Sequence, residues 1–592
     1  MLYGNFHSNN SLSALHHLQK LDLSYNNFRG SIIPSQIGHL LSLTHLNLNY
    51  SNFDSQIPLE IGQVSNLVSL DLSLNFGLTL ETTATFDKLI RNLTKLQELD
   101  LSYTDLSFVS PNSFSNLSTS LLSLRLSSSG LRGKFPDSLV QLSHLEVLDL
   151  AYNEGLNGSF PTSNWSLSLY HLSLSSFTLP FFNLSLASPN SFINLSSSLS
   201  SLTLSYSGLR GKFPNNIIQL PNLEVLDLSS NEGLTSSTFI SNWSISLSYL
   251  SLSSTKIPVY LKNEFFKNLK LLQVLQLNSC NFIGSNLELF GNLSKLVVLE
   301  LRGNNFTGQI PSSIGKLEKL YSLDLSYNNF SGPIPPSFGN LSQLSYLLME
   351  SNNINGPIPS FIGKCNQLRF LYLSYNNFSG PIPSDICRLS SLVYLSLSNN
   401  LLTGQVCQFK HNNTLELVDL SHNKLSGTVP SSIFNQVDLM VLILSLNEKL
   451  TGEIPSAVCE NHSESSTLSS NNSVVPIPQC LGNFSSSLSV LHLDVNQLNG
   501  SSSSSILQEG SNARFEPSIG NFDQSETLDL SSNNLLEGIP NPNCNFDIPR
   551  RFRVSHNQLE DPYLQGPQFN TFEIARMKEN TRLCGFSTAK GL

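Results

Sequence analysis

Charge is scarce in this chain. Only 12% of its 592 residues are Asp, Glu, Lys or Arg, and the net charge is −10. No basic run exceeds the pair Arg550 and Arg551, so the cationic stripe that a phosphate backbone requires is missing and no nucleic-acid partner is expected. Ser and Asn fill the polar share instead, a surface suited to solubilisation by glycans. Long apolar runs are missing too, and none approaches the ~18–20 residues needed to span a bilayer. The opening MLYGNFHSNNSLSALHHLQK has no basic start and no apolar stretch ahead of a small-residue cleavage site, so it does not read as a signal peptide. HExxH, phosphate-loop and kinase signatures are absent, and the twelve histidines are scattered. The eight cysteines form no CxxC, which argues against zinc and thioredoxin chemistry. No enzyme, metal or cofactor is expected.

What is present is repetition. YSLDLSYNNFSGPIPPSFGNLSQL, starting at Tyr321, is followed by FLYLSYNNFSGPIPSDICRLSSL, starting at Phe370. Aligned on the asparagine of LxxLxLxxN, the pattern runs through Asn26, Ser51, Asn75, Thr104, Ser129, Asn153, Phe177, Ser207, Asn231, Thr255 and Cys280. It continues through Asn304, Asn328, Asn352, Asn376, Asn400, Asn423, Asn447, Asn471, Asn496, Asn533 and Asn557. Twenty-two candidate coils, mostly 23 to 25 residues apart, make a sustained match to the leucine-rich repeat. The expected fold is an α/β repeat solenoid with a parallel β-sheet on its concave face.

The chemistry of the coil follows from the pattern. Each coil lays a short strand beside its neighbours, ~4.8 Å apart. Leu320, Leu323, Leu325, Phe330, Ile334, Phe338 and Leu341 are expected inside one coil. Each contributes roughly 1.5–3 kcal/mol once the next coil covers it. An asparagine at the turn satisfies backbone groups that would otherwise be buried unpaired, at about 1–3 kcal/mol each. Asn328 is therefore structural and Asn329 faces out, while Cys280 is read as a small buried donor in the same ladder. Glycine and proline in GxIP set a tight turn that donates few backbone bonds. GLRGKFP, NEGL and SNWS, the last containing Trp165 and Trp243, each recur 78 residues on, the mark of a duplicated block of three coils. Packing is expected for both tryptophans.

Residues 1–458 form the regular array in this reading, 459–487 a degenerate coil and 488–500 a further coil. A serine-rich loop at 501–520, two last coils at 521–566 and a partial cap at 567–592 complete the chain. Candidate binding residues lie where larger side chains replace Ser or Asp on the outward sheet positions of the eleventh to sixteenth coils. They are Gln276, Glu300, Arg302, Asp324, Tyr346, Glu350, Phe370, Tyr372 and Tyr394. Exposed aromatics beside an arginine are the usual composition of an interaction hot spot. Asp22, Asp71, Asp149, Asp227 and Asp419 are read as solubilising residues. Cys365 and Cys387 fall at similar places in consecutive coils and are expected to pair in an oxidising compartment, with Cys459 and Cys480 as a second pair; buried free thiols are the alternative. Of nineteen N-glycosylation sequons, those at Asn92, Asn116, Asn292, Asn305, Asn329, Asn340, Asn377 and Asn483 are expected to carry glycans clear of the concave face.

The GxIP signature resembles the plant-specific, extracytoplasmic class of leucine-rich repeat, whose solenoids are superhelical. The opening LYGNFHSNNSLSALHHLQKLDLSYNNF and the ending VSHNQLEDPYLQGPQFNTFEIARMKENTRLCGFSTAKGL resemble the ends of plant leucine-rich-repeat receptor-like proteins of the Cf disease-resistance type. The resemblance implies a plasma-membrane protein with its repeats outside the cell, binding a peptide or protein. It also implies signalling in defence or development through a partner receptor kinase at the membrane-proximal coils. Compared with that family, the chain is expected to lack a signal peptide, an N-terminal cap and an anchor, to keep only a remnant island at 501–516, and to leave Cys584 without its usual partner. Two alternatives stay open: a secreted inhibitor of cell-wall hydrolases resembling the polygalacturonase inhibitors, and a truncated receptor fragment without function.

Overall fold

A computed structural model describes residues 1–6, 14–157, 165–176, 197–214, 217–236, 243–283, 286–411, 413–452, 454–455, 465–471, 490–498, 527–535, 551–562, 579–580 and 582–584. The readings at Phe177, Cys459, Cys480, Asn483 and 501–520 lie outside these residues. Two compact units are present, Met1–Asn304 and Asn305–Leu592.

In the first unit twelve three-residue strands, from Lys20–Asp22 to Val298–Glu300, form a parallel sheet in sequence order. Leucine stands opposite leucine at the centre of the ladder: Leu21, Leu46, Leu70 and Leu99 are successive partners, and Leu250, Leu275 and Leu299 continue the row. The second unit repeats the design with ten strands, from Ser322–Asp324 to Arg551–Arg553. The strand Ser465–Thr467, inside the degenerate segment, keeps its place between Val441–Ile443 and Val490–His492. Val490–His492 and Thr527–Asp529 pair directly although their sequence separation is long, so the sheet runs on unbroken across that interval. The seven residues expected inside the coil around Leu323 are all at most 2% exposed.

After the strand the chain turns through the asparagine ladder. The residue before each ladder position adopts a left-handed conformation, as at Tyr25 (φ 55°), Leu74 (φ 56°), Tyr375 (φ 53°) and Val495 (φ 53°). Backbone groups reversed in this way need partners, and the ladder supplies them from the following coil. Asn75 Nδ2 donates to Leu48 O of the preceding coil at 2.8 Å and to Leu72 O of its own at 2.9 Å, while its Oδ1 accepts from Ser51 N–H and Phe53 N–H. Where serine occupies the ladder, its hydroxyl keeps the donation: Ser51 Oγ lies 2.6 Å from Leu23 O. Cys280 Sγ does the same to Leu252 O at 3.2 Å, and burial pushes its thiol pKa up to about 12, so it stays a protonated donor. Beyond the sequence alignment, Asn580 forms another rung: its Nδ2 donates to Val554 O at 2.9 Å and its Oδ1 accepts from Leu559 N–H.

A second set of short strands follows the ladder. In the second unit seven of them, from Thr307–Gln309 to Lys449–Leu450, lie side by side. In the first unit they pair two by two, and Arg132–Lys134 with Gly155–Asn157 repeats in identical register as Arg210–Lys212 with Gly233–Thr235, the 78-residue duplication. Proline then opens a 3-10 turn. Pro34 and Pro58 are extended (φ −66° and −68°), and their carbonyls accept from Ile37 N–H and Ile61 N–H at 3.1 and 3.2 Å. Proline has no hydrogen to donate at a position that needs only an acceptor. Gly38 follows because a β-carbon there would sit 2.5 Å from Glu60 O of the next coil. Most helical turns opposite the sheet are 3-10; an eight-residue α-helix, Thr83–Ile90, opened by a Thr82–Thr85 capping box, fills the longer spacing between Asn75 and Thr104. Trp165 and Trp243 are 2% and 1% exposed and pack edge-to-face on Phe135 and Phe265.

Candidate ligand-binding face

Three residues of each strand alternate out–in–out, so every coil offers two outward side chains to the open sheet face. The nine candidates divide between the two units. In Met1–Asn304, Gln276 Oε1 accepts from the Tyr249 hydroxyl at 2.6 Å, and Glu300 Oε2 accepts from Asn278 Nδ2 at 2.8 Å. Burial, with the Asp227 and Glu300 carboxylates adding to it, pushes the Tyr249 hydroxyl up to about 12. Arg302 is exposed, and its backbone N–H donates to Asn278 Oδ1. Gln276 and Glu300 are thus tied into a local polar network.

The second unit is different in kind. Tyr346, Phe370 and Tyr394 are the first residues of successive strands and stand in register. Their rings form a nearly parallel stack, with centroids 4.4 Å apart at 8° and 5.0 Å apart at 9°. Tyr321, 41% exposed, caps one end edge-on at 5.3 Å. At the other end the Tyr394 hydroxyl donates to Glu416 Oε2 at 2.9 Å, and that carboxylate raises the tyrosine pKa. Tyr372 stands in the second outward row; burial first, then Tyr394 and Glu350, raise its pKa as well. Arg369 is exposed and reaches to 5.9 Å from the Phe370 centroid. Such contacts contribute about 0.5–1.5 kcal/mol beyond area burial, enough to preorganise the rings.

Asp324 departs from the expected surface role. It is 7% exposed and accepts from both the N–H and the hydroxyl of Ser326. The same bond recurs along the array: Asp22, Asp71, Asp100, Asp149, Asp227, Asp419 and Asp529 each accept the N–H two residues on at 2.9–3.0 Å. These aspartates cap the strand end as Asx turns. The aspartates read as solubilising from LDLS thus also hold the turn, each through one carboxylate oxygen.

The disulfide is also corrected. Cys387 bonds Cys407, with α-carbons 6.3 Å apart, and Cys365 is a buried thiol. Cys365 Sγ lies toward Leu341 O of the preceding coil, away from Cys387, and Cys387 ends the short helix Ser384–Cys387. Cys407 comes within reach because the coil after Gly404 has VCQFK where its neighbours have a proline and a short helical turn. The sequon asparagines Asn92, Asn116, Asn292, Asn305, Asn329, Asn340 and Asn377 are all exposed. Asn116, Asn292 and Asn340 close 3-10 turns, whereas Asn329 and Asn377 open strands of the second sheet.

Sequence reasoning missed Tyr321, Arg369 and Glu416, which sit one position before the strand, and the apolar outward residues Leu348, Leu417, Val441 and Ile443. The available signal was an apolar residue at a position where other coils carry Ser or Asp.

Residues 3–263 and 249–379 match a family model described as leucine-rich repeat region, and residues 414–436 match a single leucine-rich-repeat model. The chain belongs to the leucine-rich-repeat family. Its similarity extends to plant receptor-like proteins. It is 39% identical over 196 residues to Receptor-like protein 9DC1 of Solanum pimpinellifolium, covering 33% of this chain and 22% of that protein. It is 37% identical over 196 residues to Receptor-like protein Cf-9 of the same species, again covering 33% and 22%. The matched segment spans about a fifth of those relatives' length. Among solved structures, the Arabidopsis receptor kinase HAESA in complex with the peptide hormone IDA and the co-receptor SERK1 is similar at 27% identity and a TM-score of 0.69, covering 97% of this chain and 92% of that one. This leucine-rich-repeat chain is non-enzymatic. No helix among the described residues is long and apolar enough to cross a membrane.

Proposed function

We propose that the chain is the ligand-recognition region of a cell-surface receptor-like protein acting in plant defence or development. It binds a peptide or protein along the concave sheet face and signals through a partner receptor kinase. The observation that carries this reading is the half-buried stack of Tyr346, Phe370 and Tyr394, preorganised in register on the open sheet face. Aromatic anchors in a polar surround are the composition of binding hot spots. The similarity to 9DC1 and Cf-9 supports a receptor-like protein, and the HAESA complex with a peptide hormone and a co-receptor supports both partners. Glycans at the exposed sequon asparagines belong to the same extracellular reading, as does division of the chain into regular coils, a loop at 501–520 and a terminal cap from 567.

The test is an immunoblot of native protein from membrane and soluble fractions, with and without endoglycosidase. A membrane-bound band that loses mass on deglycosylation is expected. An unshifted soluble band at the chain mass of 65.2 kDa overturns the proposal.

A further inference from the structure

The ring stack is one end of a longer rail. Tyr346, Phe370, Tyr394, Leu417 and Val441 are partners strand to strand, and all are only half-buried. In the second outward row three of these coils carry Leu348, Tyr372 and Ile443 and the other two Ser396 and Asp419, and Met440 beside the rail is 38% exposed. The corresponding positions of the chain's first five coils are Lys20, His45, Ser69, Glu98 and Ser123, while Tyr249, Val274 and Val298 form a shorter apolar run later in the first unit, so the stacked rings rather than apolarity alone set this rail apart.

The orientation of the rings limits what they can bind. Because the rings lie at 8° and 9° to one another, their faces cover each other and their rims are left to the solvent. Rims are the positive part of the aromatic quadrupole, so they suit the face of another aromatic ring or a carbonyl oxygen and repel a cation. Four steps of ~4.8 Å give the rail a length of about 19 Å. An extended chain advances ~3.3 Å per residue and presents same-side residues every ~6.7 Å, so about six residues cover the rail with three side chains facing it.

We infer that this rail takes an extended peptide segment of about six residues with apolar side chains at alternate positions, one of them aromatic and seated face-on against the rims of Tyr346, Phe370 and Tyr394. The inference rests on the peptide-recognition reading above and assigns the ligand's side-chain chemistry. Arg369, exposed beside Phe370, favours a ligand carboxylate on that margin. A second copy of the chain fits less well, since two molecules of net charge −10 repel.

The experiment pans a phage library of random linear dodecapeptides against the full chain and measures the affinity of synthetic versions of enriched peptides by fluorescence anisotropy. Enrichment of apolar residues at alternate positions, including an aromatic, is expected. Phe370→Ser and Leu417→Ser should each weaken binding at least tenfold, and alanine at the peptide's aromatic position should do the same. Circular dichroism of both variants should match the parent chain. Enriched peptides that bind Phe370→Ser and Leu417→Ser as tightly as the parent overturn the inference and leave peptide recognition standing. No enrichment over uncoated beads overturns the peptide reading itself. A dimer in sedimentation that Phe370→Ser dissociates assigns the rail to a second copy and overturns the peptide occupant.

Discussion

Replacing Asn376 with alanine tests how the coils are joined. In the parent chain its Oδ1 accepts from Ile354 N–H of the preceding coil at 3.0 Å. Ile354 is fully buried, so its single amide hydrogen is left without an acceptor, at about 1–3 kcal/mol. Asn376 Nδ2 also donates to Met349 O, Leu373 O and Ser374 O. Each of these carbonyls keeps a second donor: Asn352 Nδ2 for Met349, Asn400 Nδ2 for Leu373 and Ser351 N–H for Ser374. Their losses are therefore small, near the bottom of the ~0.5–1.5 kcal/mol range for one bond. The sum is about 2–4 kcal/mol, felt at one joint of a quasi-one-dimensional array. A melting curve averages this over many coils, so hydrogen exchange read by mass spectrometry is the better assay. Amides of residues 350–380 should exchange roughly 30- to 1,000-fold faster, at 1.4 kcal/mol per decade, while those around Leu442 stay unchanged. Asn376→Ser should cost less, since Ser51 shows that a ladder hydroxyl keeps the donation to the preceding coil. Exchange in Asn376→Ala within threefold of the parent would refute the reasoning.

Burial, with the Asp71 charge adding, raises the Asp100 pKa above its ordinary 3.8, so the folded state binds that proton more tightly and stability falls as pH rises from 3.8 through the raised value. Asp100→Asn keeps an acceptor for Ser102 N–H and should stabilise the chain at pH 7 but not below pH 3.8, read by thermal melts across pH. Asp22 has the opposite sign: the Ser24 hydroxyl and N–H lower its pKa, so its contribution is present above 3.8 and lost as pH falls through the lowered value, and Asp22→Asn should destabilise slightly at neutral pH. Cys407→Ser opens a disulfide across 20 residues of separation and should cost about 2–4 kcal/mol, read as faster exchange between 387 and 413 with no change around Leu46. Val495 holds a β-branched side chain in the left-handed region (φ 53°) and is 49% exposed, so Val495→Asn should stabilise its coil by up to about 1 kcal/mol, read as slower local exchange.

The coil was legible in the sequence because its period is strict and its two kinds of residue do different work. Leucines at fixed offsets mark the core, and a ladder asparagine marks the turn; Leu323 and Asn376 occupy the roles their positions demand. Where the pattern breaks, legibility ends. Cys407 lies in a coil without the usual IP turn, so similarity of position favoured Cys365, whose thiol points the other way. The turn-holding bonds of the LDLS aspartates were not legible, because composition records a charge but not the N–H two residues on that holds it. Asn580 was missed because a single ladder asparagine without flanking leucines carries little signal. The aromatic residues of the candidate face were found from size and place, but their stacking was not, since register across coils becomes visible only when Tyr346, Phe370 and Tyr394 are laid side by side.

The ladder bonds have a consequence for how such a chain can change over generations. Each asparagine plugs into carbonyl and amide groups of the coil before it, and those groups have the same geometry in every regular coil: Asn75 on Leu48, Asn231 on Leu204 and Asn376 on Met349. The connector is generic. A gene that gains or loses whole coils therefore produces an array in which every joint still closes, while one that shifts by part of a coil leaves a socket empty. The block repeated at 78 residues, with its two strand pairs in the same register, is an event of the permitted kind. Outward residues such as Phe370 take no part in the connector, so recombination can shuffle recognition surfaces while leaving the scaffold's closure intact.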